Sequence, residues 1–203
     1  MPIRTSHLLL ALAVALPMSA FAGDPSTVAA HAPAYTADGK LVLPADYRQW
    51  VFLSAGLGMS YSQKAPGGEP VFDNTFVDPQ SYREFVRTGT WPDKTQIVLE
   101  VRGSTSKGSI NQHGHYQSGG VQDIEVHVKD AARFKGGWAF FGFDGGTSAD
   151  KIPESAACYA CHAAHGAVDT TFVQFYPTLL PIAQQHSTLS AAYLEETAGR
   201  LVR

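Results

Sequence analysis

The chain has 203 residues, with 15 Lys and Arg against 18 Asp and Glu and a formal net charge of −3. That balance gives no basic footprint for nucleic acid, and two cysteines are too few for a disulfide scaffold. The length fits one domain of ordinary size with a sizeable core.

Arg4, the apolar run Leu8 to Leu16, the break at Pro17 and the small-x-small sequence Ala20-Phe21-Ala22 have the layout of a secretory signal peptide. The run is short of the roughly 20 residues a spanning helix needs. Residues 1–22 are therefore expected to be removed on export. That leaves 181 residues and a net charge of −4, because the segment carries one arginine and no acid. No later segment is long and apolar enough to span a bilayer.

Residues 23–38 have no clear period and read as a loose N-terminal arm ahead of a domain at 39–203. Pro44 to Val51 predicts a helix start, with Tyr47, Trp50 and Val51 at i, i+3 and i+4. Residues 62–70 are a loop on composition, and Val71 to Val77 predicts a strand. Asp78-Pro79 opens a second helix with aspartate as cap and proline in the first turn, and Gly89 ends it. Thr95 to Arg102 predicts a strand in which Ile97, Leu99 and Val101 alternate with Val98, Glu100 and Arg102. Residues 103–120 read as a Gly/Ser/His-rich connection. In the next strand Ile124, Val126 and Val128 alternate with Glu125, His127 and Lys129. Trp138 to Phe143 is an aromatic strand closed by the turn Asp144-Gly145-Gly146. From Ser155 the chain reads as helical, interrupted at Pro177 and Pro181. The expected class is α+β, an antiparallel β-sheet with flanking helices.

Both cysteines lie in Cys158-Tyr159-Ala160-Cys161-His162, the C-x-x-C-H sequence of c-type haem attachment. Residues three apart share one face of a helical turn. Two thiols so placed can add to the vinyl groups along one porphyrin edge, and the next histidine is set under the iron. Haem attachment takes place outside the cytoplasm, where the signal peptide sends the chain. Three other readings fit less well. A thioredoxin-like pair normally follows a strand in a βαβ unit. A zinc site needs four ligands, which Cys158, Cys161, His162 and His165 cannot supply from one turn. A local disulfide accounts for neither the histidine nor the export.

The second axial position is open on sequence. Met59 is the only methionine that remains after export and lies far upstream. His113, His115, His127, His165 and His186 are further candidates that no local pattern marks as ligands. Five-coordinate iron with an open distal face is therefore expected, a form suited to a small ligand.

Several segments together resemble the cytochrome P-460 and cytochrome c′-beta family of periplasmic monohaem c-type cytochromes. They are Gly39-Lys-Leu-Val-Leu-Pro-Ala-Asp-Tyr-Arg-Gln-Trp-Val, Phe76-Val-Asp-Pro-Gln-Ser-Tyr, Gly137-Trp-Ala-Phe-Phe-Gly-Phe, Cys158-Tyr-Ala-Cys-His and Asp169-Thr-Thr-Phe-Val-Gln-Phe-Tyr-Pro. C-x-x-C-H is common to all c-type cytochromes; the order of the segments is what carries this likeness. The resemblance implies a periplasmic homodimer with one covalent haem c near the C-terminus and His162 as proximal ligand. In hydroxylamine-oxidising members a lysine is bonded to the porphyrin edge. Its place falls on Leu99, with Lys94 and Lys107 nearby, and a distal acid of those members falls near Glu125. The c′-beta members have an apolar, phenylalanine-capped distal side; Phe72, Phe76, Phe140, Phe141 and Phe143 are the candidates for such a cap.

Three functions follow as expectations. The first is an open-iron cytochrome that binds a small ligand such as nitric oxide or handles electrons with a periplasmic redox partner. The second is a haem oxidoreductase acting on hydroxylamine or peroxide, with Glu125 as its catalytic acid–base group. The third is a six-coordinate electron-transfer cytochrome.

Overall fold

The structure is a computed structural model that describes residues 31–61 and 67–201. The expected signal peptide, and the arm as far as residue 30, lie outside the described residues. Seven strands and four helices are described: β1 (Leu41–Val42), β2 (Val51–Leu57), β3 (Phe72–Val77), α1 (Pro79–Thr88), β4 (Gln96–Thr105), β5 (Tyr116–Lys129), β6 (Trp138–Gly142), β7 (Ser148–Ala149), α2 (Ala157–His165), α3 (Leu180–His186) and α4 (Ala191–Leu201). Strands β2-β3-β4-β5-β6 form one antiparallel sheet in that order, and β1 pairs with β7. The expected α+β class with an antiparallel sheet and flanking helices is what the chain adopts. Among the described residues no helix is long and apolar enough to cross a membrane.

The sheet is covered on both faces, and alternation sorts its residues between them. Val98 of β4, Val126 and Val128 of β5 and Phe141 of β6 join Leu41, Tyr47, Trp50 and Phe143 in one core. Ile97 and Trp138 point the other way, into a second core with Phe85 and Trp91 from the α1 region and Val173, Tyr176 and Leu179 from the C-terminal segment. The polar residues Glu125, His127 and Lys129 share that second face.

Local rules explain most of the elements. Asp78 caps α1 by accepting from Ser81 N at 2.8 Å, and Gly89 ends the helix at φ 75°, in the left-handed region that glycine tolerates. Two elements differ from the sequence reading. The stretch expected to begin a helix at Pro44 makes a single 3₁₀ turn at Tyr47–Gln49 and then enters β2. A bulge between Phe52 and Ser54 keeps Val51, Ser54 and Gly56 paired with Val77, Thr75 and Asp73. That extra residue breaks the two-residue period and hides the strand. The connection at 103–120 is shorter than its composition suggests. β4 runs to Thr105 and β5 begins at Tyr116, where Asn74 and Gln117 exchange side-chain hydrogen bonds of 2.9 and 2.8 Å. Pro181, read as an interruption, lies instead in the first turn of α3, where a missing N–H costs nothing.

Glu100 holds the register of β4 from the face opposite the second core. It is 2% exposed and accepts hydrogen bonds from Tyr47, Arg48 (Nε, 2.8 Å) and Arg102. Burial raises its pKa, but these donors outweigh burial and leave the carboxyl below its ordinary range. The sign follows from linkage: a depressed carboxyl stabilises the fold above its unfolded pKa of about 4.3 and loses that contribution as pH falls through the folded value. Glu100→Gln is expected to cost about 2 kcal/mol at neutral pH. The difference from the parent should shrink as the pH falls below about 4, read by urea denaturation across that range.

Candidate functional site

Between the second face of the sheet and the C-terminal helices lies a cavity of about 540 Å³. The sheet supplies Ser54 and Gly56 from β2, Asp73 and Thr75 from β3, Ile97, Leu99 and Val101 from β4, and Glu125 and His127 from β5. The opposite wall carries Cys158, Cys161 and His162 of α2 with Thr171, Phe172, Phe175 and Tyr176. Met59 and Tyr61, just beyond β2, complete the lining. Residues more than a hundred positions apart therefore face one space.

Helix α2 presents its sulfurs by simple geometry. Cys158 and Cys161 are three apart, both are free thiols, and both open on the cavity. Tyr159, between them, points away. Its hydroxyl donates to Ile152 O at 3.0 Å and accepts from Phe140 N at 3.3 Å, which ties α2 to β6.

His162 is held more firmly than its neighbours. Its Nδ1 donates to the carbonyl of Thr170 at 2.7 Å. Because a carbonyl only accepts, this bond sets the tautomer and leaves the Nε2 lone pair free to ligate a metal. The ring stacks on Phe172 at 4.2 Å and touches Phe140 at 4.7 Å and His127 at 4.9 Å. Burial, with His127 nearby, lowers its pKa to about 4, so the imidazole is neutral at physiological pH.

The loop bearing Thr170 is itself pinned. Trp91 Nε1 donates to Thr171 Oγ1 at 2.8 Å, and that hydroxyl donates to Val168 O at 2.8 Å. Gln174 accepts from Ala167 N at 3.0 Å and donates to His165 O at 2.7 Å. Lys129 Nζ reaches Trp91 O at 2.7 Å and Asp169 Oδ2 at 2.9 Å. Gly166 makes the turn possible, since a Cβ there would stand 2.7 Å from His162 O and 2.8 Å from Thr170 C.

Glu125 lines the cavity, as the acid–base reading requires. The His127 ring, with Nε2 3.8 Å from Glu125 Oε2, holds its carboxyl below the ordinary range. Asp73, which the sequence did not mark, lines the cavity too; burial, and then Glu125, raise its pKa.

Of the further candidates for the iron, only Met59 and His127 reach the cavity among the described residues. His115 pairs with Glu69 at 2.9 Å and His165 with Glu196 at 2.9 Å, both away from it. His127 lies against His162, and rings in contact cannot take opposite faces of one iron. Leu99 lines the cavity where the resemblance implied a lysine. Lys94 instead pairs with Asp130, and among the described residues no lysine lines the space. The phenylalanine cap is not where it was expected. Strand parity turns Phe72 and Phe76 away from the face that carries Asp73 and Thr75, and it puts Phe141 and Phe143 in the opposite core. Phe140 backs His162, and the aromatic lining comes from Tyr61, Phe172, Phe175 and Tyr176.

The donor set fits an iron macrocycle. Two reachable thiols and one neutral imidazole with a free Nε2 share a partly apolar space within the range of cofactor pockets. No cluster of three or more His, Cys, Asp or Glu among the described residues is arranged for a bare metal ion. A family model for cytochrome P460 matches residues 44–173. The chain belongs to the cytochrome P460 family. Its cofactor is accordingly haem. The match runs from Pro44, three residues ahead of the 3₁₀ turn, through the whole Cys158–His162 motif and the loop that holds His162. No curated protein matches the chain.

Gly166→Ala tests the clamp on His162. The added methyl meets backbone rather than a movable side chain, so a loss of about 1–3 kcal/mol is expected, measured by chemical denaturation.

Proposed function

We propose that this cytochrome P460 family member is an exported, periplasmic c-type cytochrome. It holds one haem through thioether bonds from Cys158 and Cys161, with His162 as axial ligand, and it binds a small ligand such as nitric oxide or passes electrons to a periplasmic partner. The carrying observation is that both cysteines and a half-buried, tautomer-locked imidazole line the same cavity. The haem would supply an iron centre able to bind diatomic ligands and to change oxidation state by one electron. The chain's own residues do the rest. Thr170 keeps the His162 proton on Nδ1, Phe172 and Phe140 fix the ring plane, and the walls limit access to the iron. The homodimer implied by the family belongs to the same proposal.

The test is direct. Cys158→Ala combined with Cys161→Ala should remove the haem-stained band from a denaturing gel of protein matured in a cell competent for cytochrome assembly. A band that persists refutes covalent attachment. Reduced wild-type protein should show a carbon monoxide difference spectrum, and none at saturating gas refutes ligand binding.

A second reading is favoured by Glu125 and Asp73, two carboxyls on the cavity wall. A haem oxidoreductase acting on hydroxylamine or peroxide needs a proton acceptor beside the substrate, and the ionised Glu125 could serve. Leu99 in place of the lysine argues against the hydroxylamine-oxidising type. Under this reading Glu125→Gln lowers turnover with an electron acceptor by about 10²-fold or more. Equal turnover in the variant removes Glu125 from that role.

A further inference from the structure

The turn behind His162 contains a residue in a conformation that few side chains favour. Val168 and Thr171 pair as an antiparallel bridge, with Thr171 N donating to Val168 O at 2.9 Å. Asp169 and Thr170 form its tip. Asp169 stands at φ 53°, in the left-handed region where glycine is at home and aspartate is tolerated. Thr170, the next residue, supplies the carbonyl that accepts from His162 Nδ1. The direction of that carbonyl therefore depends on how the tip is held.

Two ties hold it. On one side Thr171 Oγ1 accepts from Trp91 Nε1 at 2.8 Å. On the other, Asp169 Oδ2 accepts from Lys129 Nζ at 2.9 Å, across 40 residues of chain. Lys129 is a fixed post. Its backbone N donates to Thr95 O at 2.9 Å, and its carbonyl accepts from Lys94 N at 2.7 Å. Its ammonium also donates to Trp91 O at 2.7 Å and stands 5.9 Å from the centre of the Trp138 ring. Both side chains of the pair are partly exposed, so its value lies in geometry more than in stability.

We propose that Lys129 and Asp169 are positioning residues for His162: their ion pair fixes the tip of the turn, and through the Thr170 carbonyl it holds the imidazole as a strong electron donor to the iron. The proposal rests on the ligation by His162 argued above and adds what sets the strength of that ligand. A hydrogen bond from Nδ1 to a carbonyl raises the basicity of Nε2. A more basic ligand stabilises the higher charge of oxidised iron, so the tie lowers the reduction potential and loosening it raises the potential.

The sign separates this role from simple charge. Removing a cation by itself disfavours an added electron and lowers the potential, whereas removing an anion raises it. The experiment compares haem-loaded wild type, Lys129→Met, Asp169→Gly, Asp169→Asn and the double variant Lys129→Met with Asp169→Gly by redox titration, with covalent haem checked by mass. Glycine suits the left-handed position, so Asp169→Gly removes the tie without adding strain. Lys129→Met and Asp169→Gly should both raise the potential, shifting the reduced-to-oxidised ratio by about tenfold, which is about 59 mV for one electron. The double variant should match the single ones, because one tie is lost only once. Asp169→Asn removes the same charge as Asp169→Gly but keeps an acceptor for Lys129, so it should stay near wild type. Potentials that move in opposite directions in Lys129→Met and Asp169→Gly, shifts that add in the double variant, equal shifts in the Asn and Gly variants, or no shift at all overturn the proposal and leave covalent attachment intact. The comparison of Asn with Gly decides the matter even where Lys129→Met fails to fold. Wild type without covalently bound haem overturns the attachment reading and this one with it.

Discussion

The hydrogen bond from His162 Nδ1 to the Thr170 carbonyl is the contact on which the site depends. It joins the end of α2 to a loop eight residues on, and it decides which nitrogen faces the cavity. Its own stability is borrowed from elsewhere. Trp91, packed on Phe85 at a ring separation of 4.3 Å, donates to Thr171; Lys129 bridges Trp91 and Asp169; Gly166 lets two backbone segments approach. The capped helix α1 and strand β5 thus reach the imidazole through a few polar contacts set in an apolar core. Such a network is strong because the Trp91 indole N–H, the Thr171 hydroxyl and the Lys129 ammonium each find a partner in it.

The sheet divides labour between its faces. One face packs valines and aromatics against β1, β7 and the leading turn. The other gives part of its area to a packed core and part to the cavity. A polar strand face usually looks to water, yet Glu125 and His127 look into this space. That arrangement places ionisable side chains on the cavity wall while Val126 and Val128 keep the same strand anchored behind them. It also joins the two functional readings, since ligand binding and acid–base chemistry would use one cavity with different walls.

Much was legible in the residues. The Asp78-Pro79 cap, the Gly89 stop, the alternation in β4 and β5 and the aromatic strand β6 rest on rules of one or two turns of chain, and these elements stand where they were expected. Strand β2 did not show itself, because its bulge breaks the period that would announce it. Among site residues, Cys158, Cys161 and His162 carry their own signature. Phe172, Thr170 and Asp73 do not, since a stacked phenylalanine, a backbone carbonyl and an aspartate on a mid-sheet strand look like many others until something is placed opposite them. The phenylalanines that composition offered for the distal side face elsewhere by strand parity.

By itself the sequence determined the chemistry on offer: a spaced pair of thiols with a histidine behind them, and the α+β class. Those are local properties, written in a few adjacent residues or in a short period. The tertiary structure alone decided which tautomer His162 presents, that Met59 and Glu125 share its cavity, and that His113, His115, His165 and His186 do not. Such relations depend on strand order, on one bulge and on a glycine at a close approach, and no short window of the chain contains both partners.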